Sequence, residues 1–168
     1  VDSVQIYKHL NIGSGKPSSN VLDKYPHDLI DILKPNESYS TSQFQYDVID
    51  SIRKAFQTNK IPFLVGGTMM YFHHLVNGIS KLPSVDSKIR LKVKEEFEDK
   101  GVHEMYKYLE KIDKNSSIKI HQNDTQRIKR AIEVFLATGK ELSKWQDENK
   151  KETNQIIRES NLIQIAIK

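Results

Sequence analysis

Asp2, Ser3 and Gln5 set a carboxylate, a hydroxyl and an amide together in the alternating apolar–polar stretch Val1 to Tyr7. A carboxylate at a strand terminus suits a general base or a ligand for a metal-bound water. The same residue type also serves as a plain cap or turn residue. Gly66-Gly67-Thr68 follows the apolar run Ile61 to Val65. Glycines admit close backbone approach, and a hydroxyl at a strand tip can orient a substrate. The plainer alternative is a tight strand-to-helix turn with Thr68 as its N-cap.

Gly13-Ser14-Gly15-Lys16-Pro17-Ser18 invites comparison with a phosphate loop. A Walker A loop needs an earlier Gly so that the intervening amides wrap a phosphate. Leu10 occupies that position, and Pro17 stands where Ser or Thr should reach Mg²⁺. The pattern fails, leaving a surface loop with Lys16 as a point-charge contact for a phosphate. Gln126, Arg127 and Arg130 fall at i, i+3 and i, i+4 spacing near a helix start. Such a fork suits phosphates and base edges; the alternative is a solvated face paired with Glu133. His73 and His74 are adjacent, so on a helix they diverge by about 100° and share no metal. No histidine pair has metal-ligand spacing beside carboxylates, and no metal ligands are assigned.

Several elements must position these groups. Val1 to Tyr7 reads as a strand end, residues 11–24 as a surface loop, and Leu29 to Leu33 as a short strand closed by Pro35. Ser40 to Gln43 supplies N-cap candidates, and Phe44, Val48, Ile49, Ile52 and Phe56 predict a helix from about 41 to 58. The run at 61–65 reads as a buried parallel strand, with a helix from Met69 through Leu75 stopping near Gly78. That order is α/β, and ligands in such sheets sit at the carboxyl ends of strands. After Pro83, helical periods cover 86–100, 101–111, 123–138 and 141–150, punctuated by Gly101 and Gly139 as C-caps. Leu162 to Ile167 predicts a return strand. The expected organisation is a partial α/β core at 1–85, a helical lobe at 86–160 and a strand back to the core at 161–168.

Composition narrows the class. The 168 residues carry 26 Lys plus Arg against 22 Asp plus Glu, a net charge of +4. Residues 1–85 hold 8 basic and 7 acidic groups (+1), and residues 86–168 hold 18 and 15 (+3), so the excess falls mainly on the lobe. A polyanionic partner is permitted without being demanded. A mean hydropathy of −0.60 predicts a soluble chain, and no apolar run approaches the roughly 18 residues of a membrane span. The absence of cysteine excludes disulfides, thiolate zinc sites and thiol nucleophiles, and fits a reducing compartment.

Taken in order, a longer series emerges: Asp-Ser-Val-Gln-Ile-Tyr-Lys (2–8), Ile-Gly-Ser-Gly-Lys-Pro-Ser (12–18), Tyr-Pro-His-Asp-Leu-Ile-Asp-Ile-Leu (25–33) and Tyr-Ser…Phe (39–44). Ile-Pro-Phe-Leu-Val-Gly-Gly-Thr-Met-Met-Tyr-Phe (61–72), Asn-Asp-Thr-Gln-Arg-Ile-Lys-Arg-Ala-Ile-Glu-Val (123–134) and Thr-Gly-Lys-Glu-Leu-Ser (138–143) complete it. The series resembles the tRNA dimethylallyltransferase (tRNA isopentenyltransferase) family through nearly the whole chain. The resemblance implies transfer of a dimethylallyl group from dimethylallyl diphosphate to the exocyclic amine of the adenine just 3′ of the anticodon. It implies a nucleotide- or ATP-binding core like that of P-loop NTPases, with a helical insertion gripping the tRNA anticodon stem-loop. The substrates would meet in a channel through that core, with Mg²⁺ accompanying the diphosphate. The implied setting is a cytoplasmic monomer with no membrane partner.

Residue by residue, Asp2 then corresponds to the general base, with Ser3, Val4 and Gln5 lining the tRNA side of the channel. Thr68 corresponds to the residue orienting Asp2 and the adenine, and Arg90 to an arginine near the reacting groups. Gln126, Arg127, Ile128, Lys129 and Arg130 correspond to a tRNA-contacting helix. Asp2, Thr68 and Arg90 form the expected catalytic set, which with Ser3 to Gln5 and residues 126–130 also forms the tRNA-binding set. Lys16 is kept as a diphosphate contact. The family's usual Gly-Thr-Ala-Lys-Pro appears here as Gly13 to Pro17 with Lys16 retained. The main phosphate loop is expected to precede Asp2 outside this sequence, with further helices beyond residue 168, so residues 1–168 alone are expected to be inactive. Two other readings stand beside this one, a non-catalytic RNA-binding module and a nucleotide-kinase-like phosphotransferase.

Overall fold

The computed structural model describes residues 1–80, 82–148 and 154–166. The chain divides into two compact units, Val1–Ile79 with Glu152–Lys168, and Ser80–Lys151.

In the first unit, helix α1 (Ser19–Lys24) interrupts the expected loop and buries no residue. Helix α2 (Thr41–Gln57) begins where Ser40 Oγ accepts from Gln43 N, an N-cap that satisfies an otherwise orphaned donor. Its Phe44, Val48, Ile49 and Ile52 share one face and are buried. They pack with Tyr71 and Leu75 of helix α3 (Met69–Asn77) and with Ile157 of helix α8 (Gln155–Glu159). The Phe44 and Tyr71 rings stack with centroids 4.3 Å apart, and Tyr39 meets Tyr71 edge-on at 6.4 Å.

The expected α/β class, with a P-loop NTPase-like parallel-sheet core, is not formed. The regular elements among the described residues are all helices, and β pairing is confined to isolated bridge residues, Tyr7 with Leu33 in parallel and Ile79. Leu29 and Asp31 have φ of 63° and 55°, left-handed values that no strand tolerates. Residues 61–66 run without ladder partners, and the Phe63 side chain is 85% exposed. Residues 161–166 of the expected return strand are likewise unpaired, and Ile163 is 84% exposed; residues 167–168 lie outside the described set. An apolar run records a preference for burial, but a strand exists only where a neighbour takes its N–H and C=O groups.

The described residues of the second unit form helices joined by short connections. Helix α4 (Ser87–Ile112) is capped by Asp86, whose carboxylate accepts from Lys88 N, and breaks at Gly101, where φ is 74° and ψ 166°. Helix α5 (Lys114–Lys119) follows, then α6 (Thr125–Thr138), capped by Asp124, and α7 (Leu142–Glu148). Val93, Phe97, Met105 and Leu109 of α4 close against Ile128, Ala131, Ile132 and Val134 of α6. Gly139 ends α6 in the left-handed conformation, φ 69° and ψ 5°. Residues 149–150 of the last expected helix lie outside the described set.

Two polar knots hold this unit's turns. Asp113 is buried and accepts four hydrogen bonds, from Ser116 N (3.0 Å) and Oγ (2.6 Å) and from Ser143 N (2.9 Å) and Oγ (2.7 Å). Burial alone would push its carboxyl up, but the Ser116 and Ser143 donors outweigh that and hold it below the ordinary value. Thr138 Oγ1 donates to Val134 O (2.8 Å) and accepts from Lys140 N (3.2 Å) and Trp145 Nε1 (3.3 Å). Thr138 to Ser143 therefore has a local structural account, a helix end clamped to the next helix start.

Candidate active site

Asp2 sits on a turn that its own side chain organises. Oδ1 accepts from Val4 N at 2.7 Å and from Gln5 N at 3.1 Å, while Oδ2 has no hydrogen bond among the described residues. The carboxylate is thus oriented by backbone donors and presents a second oxygen for an incoming N–H. Asp2 is a turn residue here, with its Oδ2 not engaged by that turn.

Thr68 occupies the N-cap position of α3, but its side chain makes no cap bond. Its Oγ1 instead accepts from Ser3 N at 3.0 Å and donates to Ser3 Oγ at 3.3 Å. The Gly-Gly-Thr turn is thereby fastened to the residue next to Asp2. Val1 N donates to Val65 O at 2.5 Å, and Thr68 N donates to Val1 O at 3.4 Å. Gly66 makes this approach feasible: with φ at 154°, a Cβ there would lie 2.0 Å from Val1 O. Tyr71, one turn into α3, is buried beneath the site. Burial pushes its hydroxyl up, with Tyr7 and Asp2 adding in the same direction.

Gln5 and Lys16 tie the Gly13–Lys16 loop to the same turn. Gln5 Nε2 donates to Ser14 O at 3.2 Å. Lys16 Nζ donates to Tyr7 O (2.8 Å), Asn11 Oδ1 (3.0 Å) and Asp31 Oδ1 (2.7 Å), and its side chain is 4% exposed. Asp31 N in turn donates to Gln5 O at 3.1 Å.

The remaining expected residues lie in the second unit. Arg90 is exposed in the first turn of α4, its amide donating to Asp86 O at 3.2 Å. On α6, Gln126 and Arg127 are exposed, and Arg127 pairs with its cap Asp124 at 3.3 Å. Ile128 is fully buried in the core, and Lys129 Nζ lies 4.9 Å from the Phe97 ring centroid. Arg130 reaches Glu133 at 3.8 Å and also donates to Pro83 O at 3.3 Å, anchoring the segment that leads into α4. The structure thus gathers Asp2, Ser3, Gln5, Thr68 and the Lys16 loop within one unit, and Arg90 and the α6 residues within the other. Sequence reasoning missed Tyr71 as a neighbour of Asp2 and Asp31 as the partner of Lys16. Neither local spacing nor residue type signals contacts made across such chain separations.

Among the described residues, no group of three or more His, Cys, Asp or Glu could hold a metal ion. No helix of the described residues is long and apolar enough to cross a membrane.

A carboxylate turn is thus bolted to a Gly-Gly-Thr turn through Thr68 and Ser3. The family model for IPP transferase matches residues 5–168, and the chain belongs to that family. It is 44% identical over 146 residues to the tRNA dimethylallyltransferase of Psychrobacter sp. (strain PRwf-1), covering 87% of this chain and 40% of that protein. The tRNA dimethylallyltransferase of Ruthia magnifica subsp. Calyptogena magnifica is also 44% identical, over 158 residues, covering 94% and 52%. This chain therefore spans about half or less of these relatives' length. The solved structure of a eukaryotic dimethylallyltransferase acting on tRNA aligns with a TM-score of 0.69 at 26% identity, over 90% of this chain and 38% of that one.

Proposed function

We propose that this chain carries the acceptor-side chemistry of a tRNA dimethylallyltransferase. The reaction moves a dimethylallyl group from dimethylallyl diphosphate to the exocyclic amine of the adenine 3′ of the anticodon. The amine nitrogen bonds to the allylic carbon as the carbon–oxygen bond to diphosphate breaks. Diphosphate leaves with that electron pair, and the amine proton passes to the Asp2 carboxylate. An allylic leaving group departs readily because its developing cation is delocalised, so positioning and charge stabilisation supply most of the catalysis. An anticodon-loop adenine suits this chemistry, because unstacking a base is least costly in a loop.

The observation that carries this reading is the Asp2 carboxylate, fixed by two amides through Oδ1 with Oδ2 open. Family membership and the names of the relatives support it. Thr68 acts on Asp2 through the Ser3 backbone, while Arg90, Gln126, Arg127 and Arg130 are read as contacts for the tRNA backbone and bases. The described residues build no cage for Mg²⁺; the ion would arrive with the diphosphate and would supply charge stabilisation to the leaving group. We read the setting as cytoplasmic and monomeric.

The test uses the intact protein, a tRNA acceptor and labelled dimethylallyl diphosphate. Asp2→Ala should lower kcat by about 10²–10⁴-fold, the usual worth of a general base. Thr68→Ser should retain most activity and Thr68→Val should not. Wild-type turnover by Asp2→Ala would overturn the assignment.

A further inference from the structure

Lys16 is where the sequence expectation and the geometry point to different chemistry. An ammonium group has three donors and no acceptor. Here all three are engaged, by Tyr7 O, Asn11 Oδ1 and Asp31 Oδ1, within 3.0 Å. Its side chain is 4% exposed and its charge is matched by Asp31. A phosphate oxygen could recruit this group only by breaking one of those bonds.

The same atoms form a closed circuit that ends at the proposed base. Lys16 holds Asp31 and the Tyr7 carbonyl, and Asp31 N donates to Gln5 O. Gln5 Nε2 returns to Ser14 O, on the loop that carries Lys16, and Gln5 N donates to Asp2 Oδ1. Both sides of residues 5–7 are pinned, one through Asp31 and the other through the Ser14–Lys16 loop. We propose that Lys16 is a positioning residue, which fixes the Asp2–Gln5 turn from behind and makes no contact with the diphosphate. This rests on the reading of Asp2 as the proton acceptor.

Two measurements on the intact protein test it. The first needs no turnover: native lysine acetylation is followed by mass spectrometry with and without inorganic diphosphate. Lys16 should react at least about tenfold more slowly than exposed Lys8, because its amine is released only by local opening. Adding diphosphate should leave its rate unchanged. Labelling as fast as Lys8, or a rate that diphosphate slows, would overturn the proposal.

The second is kinetic. Misplacing a catalytic group by about 1 Å can cost about 100-fold, and Lys16→Met should lower kcat by that order. Its KM for the prenyl diphosphate should remain within about twofold, since uniform binding is untouched. Lys16→Arg should fail equally, because a planar fork cannot meet three acceptors arranged around an ammonium. A direct anion contact predicts the reverse, with the loss in KM and rescue by Arg. Should either Lys16 variant unfold, Asn11→Ala removes a single acceptor and should reduce kcat in the same sense with KM intact; an increase confined to KM would count against the proposal. Asp2→Ala run in parallel separates the two ideas. Full activity in that variant defeats the function reading, while the acetylation rates still decide whether Lys16 is open to an anion.

Discussion

Asp2 and Gly66 show how far one atom can matter in this site. The Asp2 carboxylate is held by amides from its own turn, and that turn is held by Thr68 from the far side of a long chain excursion. Gly66 makes the excursion close, since any Cβ at that position would overlap the Val1 carbonyl. Gly66→Ala should therefore destabilise the protein by about 1–3 kcal/mol, the cost of a backbone held in a glycine-only conformation. Urea unfolding followed by circular dichroism checks this, and an unchanged midpoint would refute it. At this scale the sequence marks candidate residues and leaves their partners unmarked. Asp-Ser-x-Gln and Gly-Gly-Thr stood out by type and order. The Thr68–Ser3 link and the burial of Lys16 did not, because both depend on partners distant in the chain.

Among the elements, helices were legible and strands were not. The periods of Phe44 to Ile52 and of Ile128 to Val134 report a face, which a helix forms from its own backbone bonds. Gly101 and Gly139 ended their turns at positive φ, as glycines at helix ends do. Residues 29–33 and 61–65 looked equally patterned, but a strand needs an external ladder, and pattern alone cannot supply the neighbour. The Asp113 knot was also invisible, since an Asp between helices reads as an ordinary cap. Each Asp113 oxygen accepts one backbone N–H, from Ser116 on Oδ1 and from Ser143 on Oδ2. Asp113→Asn must therefore aim its NH₂ at a backbone donor whichever way the amide flips. A cost of about 2–4 kcal/mol follows from the buried unsatisfied donor and the lost charge-assisted bonds.

The same carboxyl predicts a pH dependence. Its folded-state pKa lies below the ordinary 3.8, so its contribution is complete above that value. The contribution is lost as pH falls below 3.8 through the lower folded value. Chemical denaturation at neutral and acid pH should show the wild type losing more stability than Asp113→Asn across that window. Equal losses in the two proteins would remove Asp113 from the acid response.

At the scale of the molecule, the described residues expose two runs of apolar side chains on the unpaired segments 61–65 and 161–166, at Ile61, Phe63, Val65, Ile163 and Ile165, besides the isolated Ile12. Extended apolar segments with unpaired backbone template self-association. Phe63→Lys combined with Ile163→Lys should reduce light scattering by residues 1–168 at high concentration. Neither side chain is packed, so each change should alter stability by less than about 0.5 kcal/mol. Unchanged scattering would locate the association surface elsewhere.

Trp145 is the sole tryptophan, and it stands in the second unit with its indole N–H on Thr138 and the Lys140 ammonium 4.8 Å from its ring. The molecule therefore contains a built-in optical probe confined to one of its halves. A cation against the indole face makes the emission maximum sensitive to the loosening of that single clamp. The far-ultraviolet signal, in contrast, sums helices from both units. If the units melt separately, the two signals will trace different denaturation curves without any introduced label. Coincident curves would instead mark one cooperative transition.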